Sequence, residues 1–376
     1  MNVQPFDLLL VFFVTLVAVQ ILRPLAPRFG FIDAPGAIKF HAEATPSCGG
    51  LAIAAALAVA VALGVISSPA IACIWVALIA SLGALDDRHC LSPRIRLAAQ
   101  FLAAAMLLLS TRYAVPNLGE FSIGAGVFLL VCGAAISLFF TVGLVNSLNL
   151  IDGVDGLAGA VTLAGLFWLA AIAHVTGDFG VASDAMIAMA ATAGFLVFNL
   201  RHPWRSRAVV FLGDAGSTAL GATLAVLILA IASRPEGAHL PALIWLVAVP
   251  LIDMGSLIVR RIMASRSPFS GDRWHLHHLL LDFGFSPALT TALITAAAGL
   301  CGAVGFLGVL YGASATVMAL ALLVPIGAHS LIVLAARTDT RSRLSDHLAQ
   351  VNASRKLGAP PVLRKESRMI VRGNWP

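Results

Sequence analysis

Apolar residues run through this chain in blocks of about twenty, separated by short polar stretches. A helix needs about 20 residues to cross the hydrocarbon core of a bilayer. The blocks predict eleven such helices, at 6–26, 48–67, 69–85, 97–114, 121–145, 156–175, 181–199, 214–233, 240–262, 287–310 and 314–336. The third is short and the fifth long. The first block, Phe6 to Leu22, has no basic residue before it. A secretory signal would carry a positive n-region and a small-residue cleavage site, so this block reads as a first transmembrane helix that is retained. The pattern predicts an all-α polytopic integral membrane protein.

Composition agrees with the pattern. Only 11% of the residues are charged and 59% are hydrophobic, with a mean hydropathy of +0.94; a soluble chain carries about 25% charged residues. The five cysteines (Cys48, Cys73, Cys90, Cys132, Cys301) include no Cys-x-x-Cys, so neither a disulfide framework nor a thiolate metal site is implied. Charge then orients the helices. All of the 24 Lys and Arg except Arg112 and Arg234 fall in the loops after odd-numbered spans or in the segment after the last one. Cytoplasmic loops are the ones enriched in basic residues. The expected topology has a periplasmic N-terminus and a cytoplasmic C-terminus. Residues 1–336 form one transmembrane domain, and 337–376 a basic cytoplasmic tail, expected to be flexible and solvated or to touch anionic lipid. Every dense polar cluster falls on the cytoplasmic side, whereas the outer loops carry little chemistry.

The densest cluster is Asn146 to Gly159, which follows the uncharged run from Val127 to Val145. Asn146, Asn149, Asp152 and Asp155 recur every three residues, a spacing that keeps them roughly on one side of a helix. Gly153 and Gly156 predict a break in the helix there. Acids and amides are costly at the end of a membrane helix and mark function; the bland alternative is a polar turn.

Four further clusters share that side. Asp86 and Asp87 end an apolar stretch, and adjacent carboxylates are held together most readily by a cation; the alternative is an interfacial helix end. Asp214 lies in Gly213-Asp214-Ala215-Gly216-Ser217 at the start of a helix. Its carboxylate suits Mg²⁺, and the helix N-terminus suits phosphate; the alternative is an N-cap. His275-Leu276-His277-His278 follows Arg273, with His275 and His278 expected on one helical face. The cluster suits phosphate or, with a further ligand, zinc. The first cytoplasmic loop holds Asp33, Lys39 and His41. Asp253, inside the ninth span, lies seven residues before Arg260 and on the same face, so an ion pair between them or a catalytic role is expected. Acids to hold a divalent cation, with bases to hold phosphate, are the equipment of phosphoryl transfer.

In this order the motifs resemble one family. Asp33-x-Pro35 with Lys39 and His41, Asp86-Asp87, Asn146-x-x-Asn149-x-x-Asp152-Gly153-x-Asp155-Gly156, Asn199, Gly213-Asp214-x-Gly216-Ser217 and Pro268-Phe269 to His275-x-His277-His278 resemble the polyprenyl-phosphate N-acetylhexosamine-1-phosphate transferases, the superfamily of WecA and MraY. The resemblance covers about residues 28–285. The His-x-His-His form looks like the branch that uses UDP-N-acetylglucosamine; the branch that takes UDP-N-acetylmuramoyl-pentapeptide usually has three consecutive histidines. Ile38 departs from the pattern, which often has a basic residue before Lys39.

The resemblance implies transfer of a sugar 1-phosphate from a UDP-N-acetyl sugar to undecaprenyl phosphate in the bacterial inner membrane. UMP is released, and a lipid-linked envelope polysaccharide such as O-antigen is begun. It implies Mg²⁺, or Mn²⁺, as cofactor. Asp86, Asp87, Asp152, Asp155 and Asp214 would be catalytic, with Asp214, Asp87 and Asp152 at the metal. Lys39, Asn146, Asn149, Asn199, Arg273, His275, His277 and His278 would bind substrate. The partners are the sugar nucleotide, the carrier and membrane lipid, with no nucleic acid; a homodimer is compatible. Two rival classes predict something else. An ion-coupled transporter places its acids at the midplane, often in paired repeats; here only Asp253 lies deep. A scaffold recruiting partners through its basic tail has no use for Asp86, Asp87 or Asp214.

Overall fold

The computed structural model describes residues 3–33, 44–111, 113–114, 116–121, 127–234, 237–269 and 273–336. Each predicted block is helical. The first eight are α1 (Pro5–Leu25), α2 (Gly49–Ala62), α3 (Ala70–His89), α4 (Pro93–Ser110), α5 (Val127–Ile151), α6 (Leu157–Val175), α7 (Phe179–Asn199) and α8 (Gly213–Ala232). The ninth block is interrupted. A turn of α9 (Leu240–Leu243) passes through a 3-10 segment, Ile244–Val247, into α10 (Ala248–Met263). The short α11 (Leu276–Asp282) precedes α12 (Pro287–Leu310), and α13 (Ala315–Ala321) opens the last span, Ala315–Ala336.

Ten of these helices are long and apolar enough to cross a membrane among the described residues. The second expected span, 48–67, is shorter than its sequence suggested. α2 has 14 residues, about 21 Å at 1.5 Å per residue against a core of about 30 Å, and it stops where Gly64 turns to φ +69°. The fifth helix, by contrast, runs on to Ile151, so Asn146 and Asn149 are helical and the break falls after them, as the glycines predicted. The structure adds one feature to an otherwise all-α fold. Ile32–Asp33 (β1) pairs antiparallel with Thr45–Pro46 (β2). Lys39, like the tail 337–376, lies outside the described residues.

α8 is the axis of the bundle. Nearly every residue from Ala215 to Ala232 is buried, as befits a helix that is apolar all round, and α2, α3, α5, α6 and α7 pack around it. Two glycines let backbones meet at its first turn. A Cβ on Gly50 of α2 would strike the backbone of Gly216, and one on Gly83 of α3 would strike the Asp214 carbonyl. Small residues allow such approaches where lipid supplies no hydrophobic drive.

The opposite end is more polar inside than the sequence suggested. Asp184, buried on α7, accepts from the Ser67 and Ser68 backbone amides at 2.7 Å each. Asp178 pairs with Arg234 at 2.9 Å. These acids staple loops to helix ends.

Candidate active site

The C-terminal ends of α3 and α5 and the N-terminal end of α8 come together, and each brings an acid or amide. α8 lacks a capping side chain of its own. Asp87 supplies the cap from α3. Its two oxygens accept from the backbone nitrogens of Asp214, at 2.9 Å, and Ala215, at 3.0 Å. Helix N-termini leave such donors unpaired, and a carboxylate there also meets the positive end of the dipole. The amides expected to meet phosphate are taken by Asp87, whose two oxygens cap α8. Asp87→Asn offers one acceptor to two donors. A buried donor left unpaired costs about 1–3 kcal/mol, so the variant is expected to unfold at lower temperature than wild type in detergent. An unchanged midpoint would remove the capping role.

The Asp214 side chain is partly exposed, at 35%. Asn149 on α5 donates to its Oδ1 at 2.7 Å and to Ser217 Oγ at 3.1 Å. Arg96, in the first turn of α4, lies 3.4 Å from its Oδ2 and forms a close ion pair with Asp86. Asp86 is 5% exposed and also accepts from the Leu91 amide at 2.7 Å. Through these contacts Asp86 anchors Arg96 and the α3–α4 turn. Arg96 entered the sequence reading only as a topological charge. Its position after Ser92-Pro93, a helix start facing Asp86-Asp87, was the available signal.

The polar turn after α5 divides into site and scaffold. Asp155 Oδ2 accepts from Arg201 Nε at 2.8 Å and from the Ala208 amide at 2.9 Å. Asn199 accepts from the Gly156 amide at 2.7 Å and donates to the Val210 carbonyl at 2.8 Å. Asn146 donates to Gln100 Oε1 at 2.6 Å and to the Val142 carbonyl at 2.8 Å. Through these contacts Asp155, Asn199 and Asn146, expected to act in catalysis and substrate binding, also hold the loops in place. Asp152 is different. It is half-buried, and burial together with the charges of Asp214, Asp87 and Asp155 pushes its carboxyl well above the usual carboxylate range, with no hydrogen bond to offset them.

The histidine motif closes on this turn. His277 Nε2 lies where a Cβ on Gly153 would sit, which is why the residue after Asp152 is glycine. His277 is 1% exposed, and neither ring nitrogen has a hydrogen-bond partner. Burial, then the neighbouring His278 and His275, lower its pKa well below the usual histidine value, so the ring is neutral. His275 precedes α11 as its N-cap, and its ring stacks on His277 at 5.5 Å; His278 lies 4.2 Å from His277. All three rings cluster, with His275 and His278 6.2 Å apart and His277 between them in closer contact with each. Arg273 pairs with Asp282 at 2.8 Å. Asp253 takes its donors from His275 and His329 in place of the expected Arg260. His329 was missed; a lone histidine in an apolar span was its only signal.

The donor set fits a divalent ion of the Mg²⁺ type. Asn149, one turn before Asp152, donates to Asp214 at 2.7 Å, so both carboxyls stand at the end of α5, and Asp152 has neither a donor nor a basic partner. No three His, Cys, Asp or Glu side chains among the described residues form a complete metal cage. Mg²⁺ does not need one, since it is typically held by one or two carboxylates with substrate phosphates and water.

A bundle of spanning helices with this polar end defines a multi-pass membrane protein built around one site. The glycosyl transferase family 4 profile matches residues 69–232, the stretch from α3 to α8 that supplies Asp87, Asn149, Asp152 and Asp214. The chain is 30% identical over 308 residues to the undecaprenyl-phosphate alpha-N-acetylglucosaminyl 1-phosphate transferase of Escherichia coli (strain K12), covering 80% of this chain and 83% of that one. It is 29% identical to the enzyme of the same name from Yersinia pestis, with the same coverage. It is 32% identical over 297 residues to a probable undecaprenyl-phosphate N-acetylglucosaminyl 1-phosphate transferase of Bacillus subtilis (strain 168), covering 75% of this chain and 80% of that one. The chain belongs to glycosyl transferase family 4, among the relatives that bear this transferase name.

Proposed function

We propose that the protein transfers N-acetylglucosamine 1-phosphate from UDP-N-acetylglucosamine to undecaprenyl phosphate, giving undecaprenyl-diphosphate-N-acetylglucosamine and UMP. The relatives' names support the substrates. The observation that carries the chemistry is the meeting of Asp214 and Asp152 at one polar end of the bundle, beside the histidine motif. The active face is cytoplasmic on this reading, because nearly all of the Lys and Arg gather on one side.

In the reaction, an oxygen of the carrier phosphate forms a bond to the phosphorus that bears the sugar. The bond from that phosphorus to the bridging oxygen breaks, and UMP leaves with the oxygen. Asp214, oriented by Asn149, and Asp152 would hold Mg²⁺. When bound, the ion offsets repulsion between the carrier phosphate and the diphosphate. Arg96, beside Asp214, adds fixed positive charge. The neutral His277 packs beneath the Asp152 turn, and the histidine motif lines the phosphate side. Phosphoryl transfer of this kind is mainly positioning and charge neutralisation.

The test is UMP release from purified protein with undecaprenyl phosphate. UDP-N-acetylglucosamine is compared with UDP-N-acetylgalactosamine and UDP-N-acetylmuramoyl-pentapeptide, before and after EDTA. Carrier-dependent UMP from the first sugar, lost with EDTA and restored by Mg²⁺, is the expected result. UMP from another sugar alone changes the substrate, and persistence after EDTA removes the metal.

A further inference from the structure

Asp253 has no part in the chemistry above, yet it sits 2% exposed on α10 within an apolar span. An acid at that depth is costly unless its oxygens are satisfied. Here they are. Oδ2 lies 3.1 Å from His275 Nδ1. Oδ1 lies 3.1 Å from His329 Nε2 and accepts from the Leu276 backbone amide at 2.9 Å. These donors come from two places: the start of α11, which carries the histidine motif, and the last span. The same two elements also pack directly, with Leu279 of α11 against Val333 and Ala336. One buried charge thus pins the motif between α10 and the last span.

The consequence falls on His275. With Nδ1 committed to Asp253 as donor, Nε2 is the nitrogen left for other partners. The ring then stacks on His277, with 10° between the planes, and His277 abuts Gly153. A line of contacts runs from His329 through Asp253, His275 and His277 to the turn that holds Asp152. We propose that Asp253, itself held by His329, is a positioning residue for the phosphate-side histidines: it fixes the tautomer and orientation of His275 and, through the stack, the seat of the Asp152 turn. The proposal rests on the transferase reading above.

The test is a double-mutant cycle on the full chain, read as carrier-dependent UMP release by wild type, Asp253→Asn, His275→Gln and the double variant. Carboxylates that orient a functional histidine typically matter about 10- to 100-fold, so Asp253→Asn is expected to lower kcat/KM by that factor. If Asp253 acts through His275, the double variant falls within about threefold of His275→Gln alone, because coupled residues are not additive. Effects that multiply independently overturn the proposal. His329→Gln, which keeps a donor, is expected to recover most of the activity lost in His329→Leu; equal activities overturn the part given to His329. If Asp253→Asn is not monodisperse in detergent, a cycle of His329→Leu with His275→Gln replaces it, with the same two outcomes. Wild type that releases no carrier-dependent UMP sinks the reaction and this inference together. Active wild type with independent effects sinks the inference alone.

Discussion

Asp214→Asn is expected to reduce carrier-dependent UMP release by on the order of a hundredfold or more, with the protein still folded. The two halves of that expectation come from different atoms. The fold uses the Asp214 backbone, whose nitrogen is bound by Asp87 and whose carbonyl accepts from Thr218 Oγ1 at 2.6 Å. Neither bond depends on the side chain. Asparagine also keeps an oxygen for Asn149, and Arg96 keeps its ion pair with Asp86. What disappears is the partly exposed negative charge that, on the proposed reading, brings a divalent ion and two phosphate groups together. Initial rates at saturating Mg²⁺ and both substrates, set beside the thermal midpoint, separate the two. A rate within about threefold of wild type, from protein with a normal midpoint, would take the metal away from Asp214.

The helices are legible in the sequence because lipid imposes a single rule on them, about twenty apolar residues per crossing. The shortness of α2 and the break at Ile244–Val247 are not, because neighbours and not hydropathy decide the backbone there. Within the site, Asn149, Asp152 and Asp214 were legible as polar groups at helix ends that local structure does not use. The scaffold contacts of Asp87, Asp155 and Asn199 were not legible, because their partners are backbone amides and an arginine far along the chain. A periodicity argument sees only residues on the same helix. The same blindness paired Asp253 with Arg260, seven residues on, when its partners His275 and His329 come from other elements. Chemistry-bearing residue types could be read from sequence, whereas the split between site and scaffold required the tertiary partner.

Gly83→Ala is expected to lower both the thermal midpoint and the transferase rate, although Gly83 touches no substrate. Gly83 lies on α3 one turn before Asp86 and Asp87, and its missing side chain is what lets α3 meet α8. A Cβ there would strike the Asp214 carbonyl and the Ala215 Cα. Those are backbone atoms of a helix enclosed by five others, so they cannot rotate away, and the helices must part. Overpacking of this kind costs about 1–3 kcal/mol. Parting α3 from α8 also draws the Asp87 carboxylate off the two amides it caps, at 2.9 and 3.0 Å, and so moves Asp214 relative to Asn149. Stability and activity should therefore fall together, the rate by on the order of tenfold, since misplacing reacting groups by a fraction of an ångström already slows catalysis. Gly83→Leu should not yield monodisperse protein. Gly255→Ala is the control, because a Cβ on that α10 residue meets nothing within 4 Å, and it should match wild type in both measurements. Gly83→Ala with a wild-type midpoint and rate would mean that the close approach of α3 to α8 does not hold the site together.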